Sequence, residues 1–134
     1  MLEIKRLSPV IGAEVSGANL ISPNDDEFKE LEQALSEYSV LFFRDQPRLS
    51  PKQQVAFATQ FGPLHSHPAA PVLEDDEAIF VIKTDANSKV ANGNGWHTDV
   101  SCDNEPPLVT MLQLHQLPET GGDTLFSSMY AAYE

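Results

Sequence analysis

Cysteine is almost absent from the 134 residues: Cys102 stands alone, so no internal disulfide can form and a reducing compartment, the cytoplasm, is the expected setting. Basic residues are also scarce. Eight Lys and Arg against 20 Asp and Glu give a formal charge of −12, which repels phosphate backbones and anionic bilayers and excludes nucleic acid and membrane as partners. Long apolar runs are missing too. The longest, Ala78-Ile79-Phe80-Val81-Ile82, falls far short of the roughly 20 residues a spanning helix needs, and Met1 to Leu7 contains no apolar leader segment.

What remains is an ordinary globular composition, 41% hydrophobic and 21% charged, at a length that suits one domain with a real core. No repeat, linker or low-complexity tract divides it. Residues 1–134 are expected to be the N-terminal part of a single domain that continues, because Ser127 to Glu134 reads as a helix that is starting without any stop signal.

Alternation in Leu2 to Lys5 and again in Ala13 to Ser16, with Pro9 and Gly12 between, predicts two strands joined by a turn. Ser22-Pro23 followed by acids predicts a capped helix start, and Phe28, Leu31, Leu35 and Tyr38 then fall on one helical face. Val40 to Phe43 reads as a short buried strand. Ser50-Pro51 opens a second helix through Val55, Phe57 and Phe61, stopped by Gly62-Pro63. Leu64 to Glu77 reads as a loop, Ala78 to Lys83 as a strand, Thr84 to Gly95 as a polar loop, and Leu108 to Leu114 and Thr124 to Phe126 as further strands.

One pair carries chemistry. In an extended segment residues two apart share a face, so the His97 imidazole and the Asp99 carboxylate can converge on one ion. With a distant second histidine, such a pair makes the facial triad of non-haem iron(II) oxygenases, which leaves cis positions open for a chelating co-substrate and oxygen. Two plainer readings compete: a histidine hydrogen-bonded to a nearby acid, and a structural zinc site, which normally takes four protein ligands. Trp96 is expected to pack in the core, Cys102 to be a small buried hydrophobe and His115 a satisfied core histidine. His65 reads as a loop residue, and Asp103, Glu105 and Glu74 to Glu77 as solvated acids.

The surroundings of the pair resemble a known family. Trp96-His97-Thr98-Asp99-Val100-Ser101, Glu105-Pro106-Pro107 and Leu117-Pro118-Glu119-Thr120-Gly121-Gly122-Asp123-Thr124-Leu125-Phe126 are similar, in order and spacing, to the taurine dioxygenase (TauD/TfdA) family. So are Ile11 to Gly17, Phe42-Phe43-Arg44-Asp45-Gln46 and Phe61-Gly62-Pro63-Leu64-His65-Ser66-His67-Pro68. The resemblance implies a mainly β, α+β fold: the double-stranded β-helix, or jelly roll, of the clavaminate synthase-like enzymes with flanking helices, present here as its N-terminal portion.

It also implies an Fe(II) enzyme with 2-oxoglutarate and O2 as co-substrates, yielding succinate and CO2 while hydroxylating a small-molecule substrate. His97 and Asp99 would be two of three iron ligands, Thr124 would touch the 2-oxoglutarate carboxylate, and His67 and Asn94 would line the substrate site. Self-association into a homo-oligomer is left open. The third ligand, a histidine, and the family's anion-binding arginines have no counterpart in the chain. Ala70 and Gly93 stand where the taurine enzyme has a tyrosine and an asparagine, which points to a substrate other than taurine, an organic acid, sulfonate or sulfate ester. The alternative is a truncated or non-catalytic jelly-roll module that binds metal without turnover.

Overall fold

A computed structural model describes residues 2–66, 79–89, 93 and 95–134. Two compact units make up the chain, one formed by Met1–Leu49 with Gln113–Glu134, the other by Ser50–Leu112.

In the first unit, β1 (Glu3–Arg6) and β2 (Ala13–Ser16) pair antiparallel, with Ile4 opposite Val15. The turn between them closes on the Ser8 hydroxyl, which accepts the Ile11 N–H at 3.0 Å, and on Gly12 at φ 89°. Only glycine holds that angle at no steric cost. A helical crossover, α1 (Asp25–Tyr38), then returns the chain to β3 (Leu41–Phe42), which lies parallel to β2 and completes a sheet of order β1-β2-β3.

The cap of α1 is Asn24, two residues beyond the expected Ser22. Its side-chain oxygen accepts the Asp26 and Glu27 N–H groups at 3.1 and 2.9 Å, and the Glu27 carboxylate accepts the Asn24 N–H at 3.1 Å. That reciprocal box satisfies donors that the helix itself leaves orphaned, and Asp25, Asp26 and Glu27 sit at its positive end. Ser39, at φ 63°, ends the helix by donating its N–H to the Leu35 carbonyl at 2.8 Å. Strand β2 and the helix each bury one face. Ala13 and Val15 alternate inward from β2, Leu31 and Ala34 from α1, and Leu2, Leu20 and Leu49 complete this unit's core. Full burial of a Leu31-sized side chain is worth about 1.5–3 kcal/mol.

In the second unit, α2 (Pro51–Ala58) opens with a second box: Ser50 Oγ accepts the Gln53 N–H and Gln53 Oε1 accepts the Ser50 N–H. It tightens into a 3₁₀ turn (Thr59–Phe61) that stops at Gly62, φ 140°. Phe57 is buried, and Phe61 meets it edge-on at 5.6 Å between ring centroids. Both ends follow the expectation. At the far end of the chain, α3 (Met129–Tyr133) is capped by Ser128.

Three expected strands are not formed. Residues 79–83, 108–114 and 124–126 run without a ladder, and residue 78 lies outside the described residues. Alternation fixes which side chains share a face, but a strand exists only when another segment supplies hydrogen-bond partners, and none of the described residues does so. Leu108 and Leu112 are exposed while Val109 and Met111 between them are half-buried, so this segment is apolar on both faces with only one partly covered. Sequences of that kind belong inside a sheet covered on both sides.

Candidate metal centre

His97 and Asp99 lie in the second unit, in the stretch that follows two turn glycines, Gly93 at φ 81° and Gly95 at φ 137°. The Gly95 carbonyl turns back onto the imidazole, 2.9 Å from His97 Nδ1. A carbonyl can only accept, so Nδ1 carries a proton, and Nε2 is the nitrogen left to act as a ligand whenever it is not itself protonated. Nε2 faces the Asp99 carboxylate, 3.3 Å from Oδ1. Two acceptors this close repel unless a cation lies between or beside them, whether a proton on Nε2 or a metal ion.

The donor set suits a metal. Ligand bonds of about 2.1 Å meeting at a right angle place two donor atoms about 3.0 Å apart, near the observed separation. An outer partner that fixes the tautomer, as the Gly95 carbonyl does, is the usual companion of a ligating imidazole. Both side chains are open to solvent, 57% and 47% exposed, so an ion can reach them. Among the described residues no third His, Cys, Asp or Glu joins the pair. Zinc held structurally would want four protein ligands, and the described residues bring two donors together here.

The segment beyond Asp99 is bent tightly. Val100 adopts φ 51°, the Thr98 and Ser101 hydroxyls touch, and the Asp103 N–H donates to the Val100 carbonyl at 3.1 Å. His65 Nε2 meets Asp103 Oδ2 at 3.0 Å, so the expected loop histidine and the expected solvated acid are partners. No sequence signal joins residues 38 positions apart. Trp96 is not core but 72% exposed, and Cys102 is exposed as well, because the segment that carries them runs without regular structure over the surface. His115 is satisfied, as expected, but at the surface: its Nδ1 lies 2.9 Å from Arg48 Nη2 and accepts from that guanidinium.

Thr124 belongs to the first unit, exposed, after Gly121 and Gly122 at φ 72° and 74°. Two residues on, Phe126 anchors its segment edge-on against Phe42 of β3, 5.7 Å between centroids. His67 and Asn94 lie outside the described residues, as do Ala70 and Glu74 to Glu77.

The described residues thus set an exposed imidazole and carboxylate side by side on a loop, in a chain whose first unit is a small sheet crossed by a helix. The family model for taurine catabolism dioxygenase TauD, TfdA family matches residues 3–134, and the chain belongs to that family. An alkylsulfatase of Acinetobacter baylyi is 38% identical over 99% of the chain and 41% of its own length. An alpha-ketoglutarate-dependent sulfate ester dioxygenase of Pseudomonas putida is 33% identical over 99% of the chain and 44% of its own length. The chain thus spans less than half of these relatives. The crystal structure of a taurine dioxygenase from Burkholderia xenovorans superposes with a TM-score of 0.64 at 34% identity, covering 78% of this chain and 37% of that one.

Proposed function

We propose that this chain carries part of the metal site of an iron(II)- and 2-oxoglutarate-dependent dioxygenase. The supporting observation is His97 Nε2 held 3.3 Å from the Asp99 carboxylate with Nδ1 turned to the Gly95 carbonyl, in a chain of the taurine dioxygenase family. His97 Nε2 and an Asp99 oxygen hold the ion, Thr124 donates its hydroxyl to the 2-oxoglutarate carboxylate, and His67 and Asn94 meet the substrate. Iron(II), when bound, supplies oxygen activation coupled to conversion of 2-oxoglutarate to succinate and CO2. The chain's residues orient these reactants and fix the proton on His97 Nδ1, so that Nε2 stays a ligand.

In the complete domain the fold is a jelly roll, in which residues 79–83, 108–114 and 124–126 find their strand partners. The apolar character of both faces of 108–112 supports that placement.

The substrate is a sulfonate, sulfate ester or aryloxy-type acid bulkier than taurine. Ala70 and Gly93 in place of a tyrosine and an asparagine widen the site and remove groups that would hydrogen-bond a small zwitterion. The related alkylsulfatase and sulfate ester dioxygenase act, by their names, on esters of that kind. The test fuses residues 1–134 to the unmatched remainder of the Acinetobacter baylyi alkylsulfatase and measures substrate-dependent succinate with a panel of sulfonates, sulfate esters and carboxylates. A highest specificity constant for a sulfate ester or bulky sulfonate is expected; a highest constant for taurine would contradict the reading of positions 70 and 93.

A further inference from the structure

The bend that follows Asp99 is costly and has an anchor. Val100 at φ 51° is a β-branched residue in the left-handed region, a conformation that costs about 1–3 kcal/mol and persists only where neighbouring structure imposes it. Three contacts surround it. The Thr98 and Ser101 hydroxyls bracket Asp99 and Val100, and the Asp103 N–H closes the turn onto the Val100 carbonyl at 3.1 Å. These lie within the segment itself, so they shape the bend without fixing it to anything else.

The third reaches outside. Asp103 Oδ2 accepts from His65 Nε2 at 3.0 Å, and the His65 side chain is only 25% exposed. His65 in turn follows the Gly62-Pro63 stop of α2, whose Phe57 is buried against Phe61. The end of the bend is therefore tied to the best-packed element of its own unit. A carboxylate has no proton to give, so Nε2–H must be the donor, and an amide at position 103 can accept the same bond.

We propose that the His65–Asp103 pair is a positioning clamp: it holds the strained Val100 bend and so keeps the Asp99 carboxylate beside His97 Nε2. The inference rests on the reading of His97 and Asp99 as metal ligands. Neither His65 nor Asp103 touches the ion; they act through the backbone of residues 99–103. Without the clamp Val100 relaxes to negative φ, and Asp99 swings from the position in which both donors meet one cation.

The experiment titrates the 134-residue chain with manganese(II) chloride and follows paramagnetic broadening of the His97 ring resonances by NMR. Asp103→Ala and His65→Ala should each weaken manganese binding at His97 by about 10-fold, the lower range for loss of a group supporting a ligand. Asp103→Asn removes the same negative charge but keeps an acceptor for His65, so it should bind close to the unsubstituted chain. The double Ala variant should be no weaker than either single one, since both remove one interaction. Unchanged affinity in both Ala variants would overturn the clamp while leaving the metal pair intact. So would an Asp103→Asn variant as weak as Asp103→Ala, because charge and not the hydrogen bond would then be responsible. If the unsubstituted chain shows no broadening at His97, or Asp99→Ala broadens equally, the metal pair falls and the clamp with it. Resonances of Phe57 and Phe61 report folding in every variant, and Asp103→Asn decides the matter even if an Ala variant unfolds.

Discussion

At His97 the decisive atom is Nδ1, because its proton, held on the Gly95 carbonyl, is what frees Nε2 to face Asp99. The His-x-Asp spacing made that convergence legible in the sequence, since alternate residues of an extended segment share a face. The His65–Asp103 pair was not legible, nor was the exposure of Trp96 and Cys102: local pattern carries no information about which distant loop a side chain meets, or whether a segment is covered. The exposed Trp96, the chain's only tryptophan, is a built-in reporter beside His97. Its emission should lie at the red end expected for indole in water and be readily quenched by iodide. Cobalt(II) should quench it further in a saturable manner that Asp99→Ala removes; a blue-shifted, iodide-resistant emission would contradict the exposed placement.

Among the elements, the helices and the three N-terminal strands formed near where they were expected while the three later strands did not, for one physical reason. A helix satisfies its own backbone, so spacing and caps suffice: Ser50 with Gln53 and the Phe57 face were plain in the sequence, and the α1 start was off by only two residues because Asn24 and Glu27 complete the box. A strand depends on a partner elsewhere in the chain, so the apolar run of 108–114 gave a strand-like pattern without a ladder among the described residues. Asn24→Ala should cost about 1 kcal/mol of stability, read as a lower midpoint in urea unfolding. Gly122→Ala meets two obstacles at once: φ 74°, and a Cβ that would stand 2.9 Å from Pro118 Cγ. It should lower the midpoint further than Gly121→Ala, whose Cβ meets nothing within 4 Å although its φ is 72°. Leu31→Ala, in the core of the first unit, should cost about 2–5 kcal/mol.

For the whole molecule, family membership is established over residues 3–134, and the chain spans 41% and 44% of two curated relatives. The described residues leave Leu108, Leu112, Leu117 and Leu125 exposed, an amount of apolar surface that favours self-association or dye binding. The 134 residues alone should therefore bind a hydrophobic dye and give no stoichiometric decarboxylation of 2-oxoglutarate. Decarboxylation by a purified monomer of this chain would contradict that. The most direct measurement of the central claim is succinate formation by the fusion to the Acinetobacter baylyi remainder, supplied anaerobically with iron(II) and then with 2-oxoglutarate, a sulfate ester and oxygen. Iron-dependent succinate that disappears in both His97→Ala and Asp99→Ala is expected, because each removes a ligand from a site that needs both. Undiminished succinate from Asp99→Ala would show that this pair does not hold the metal.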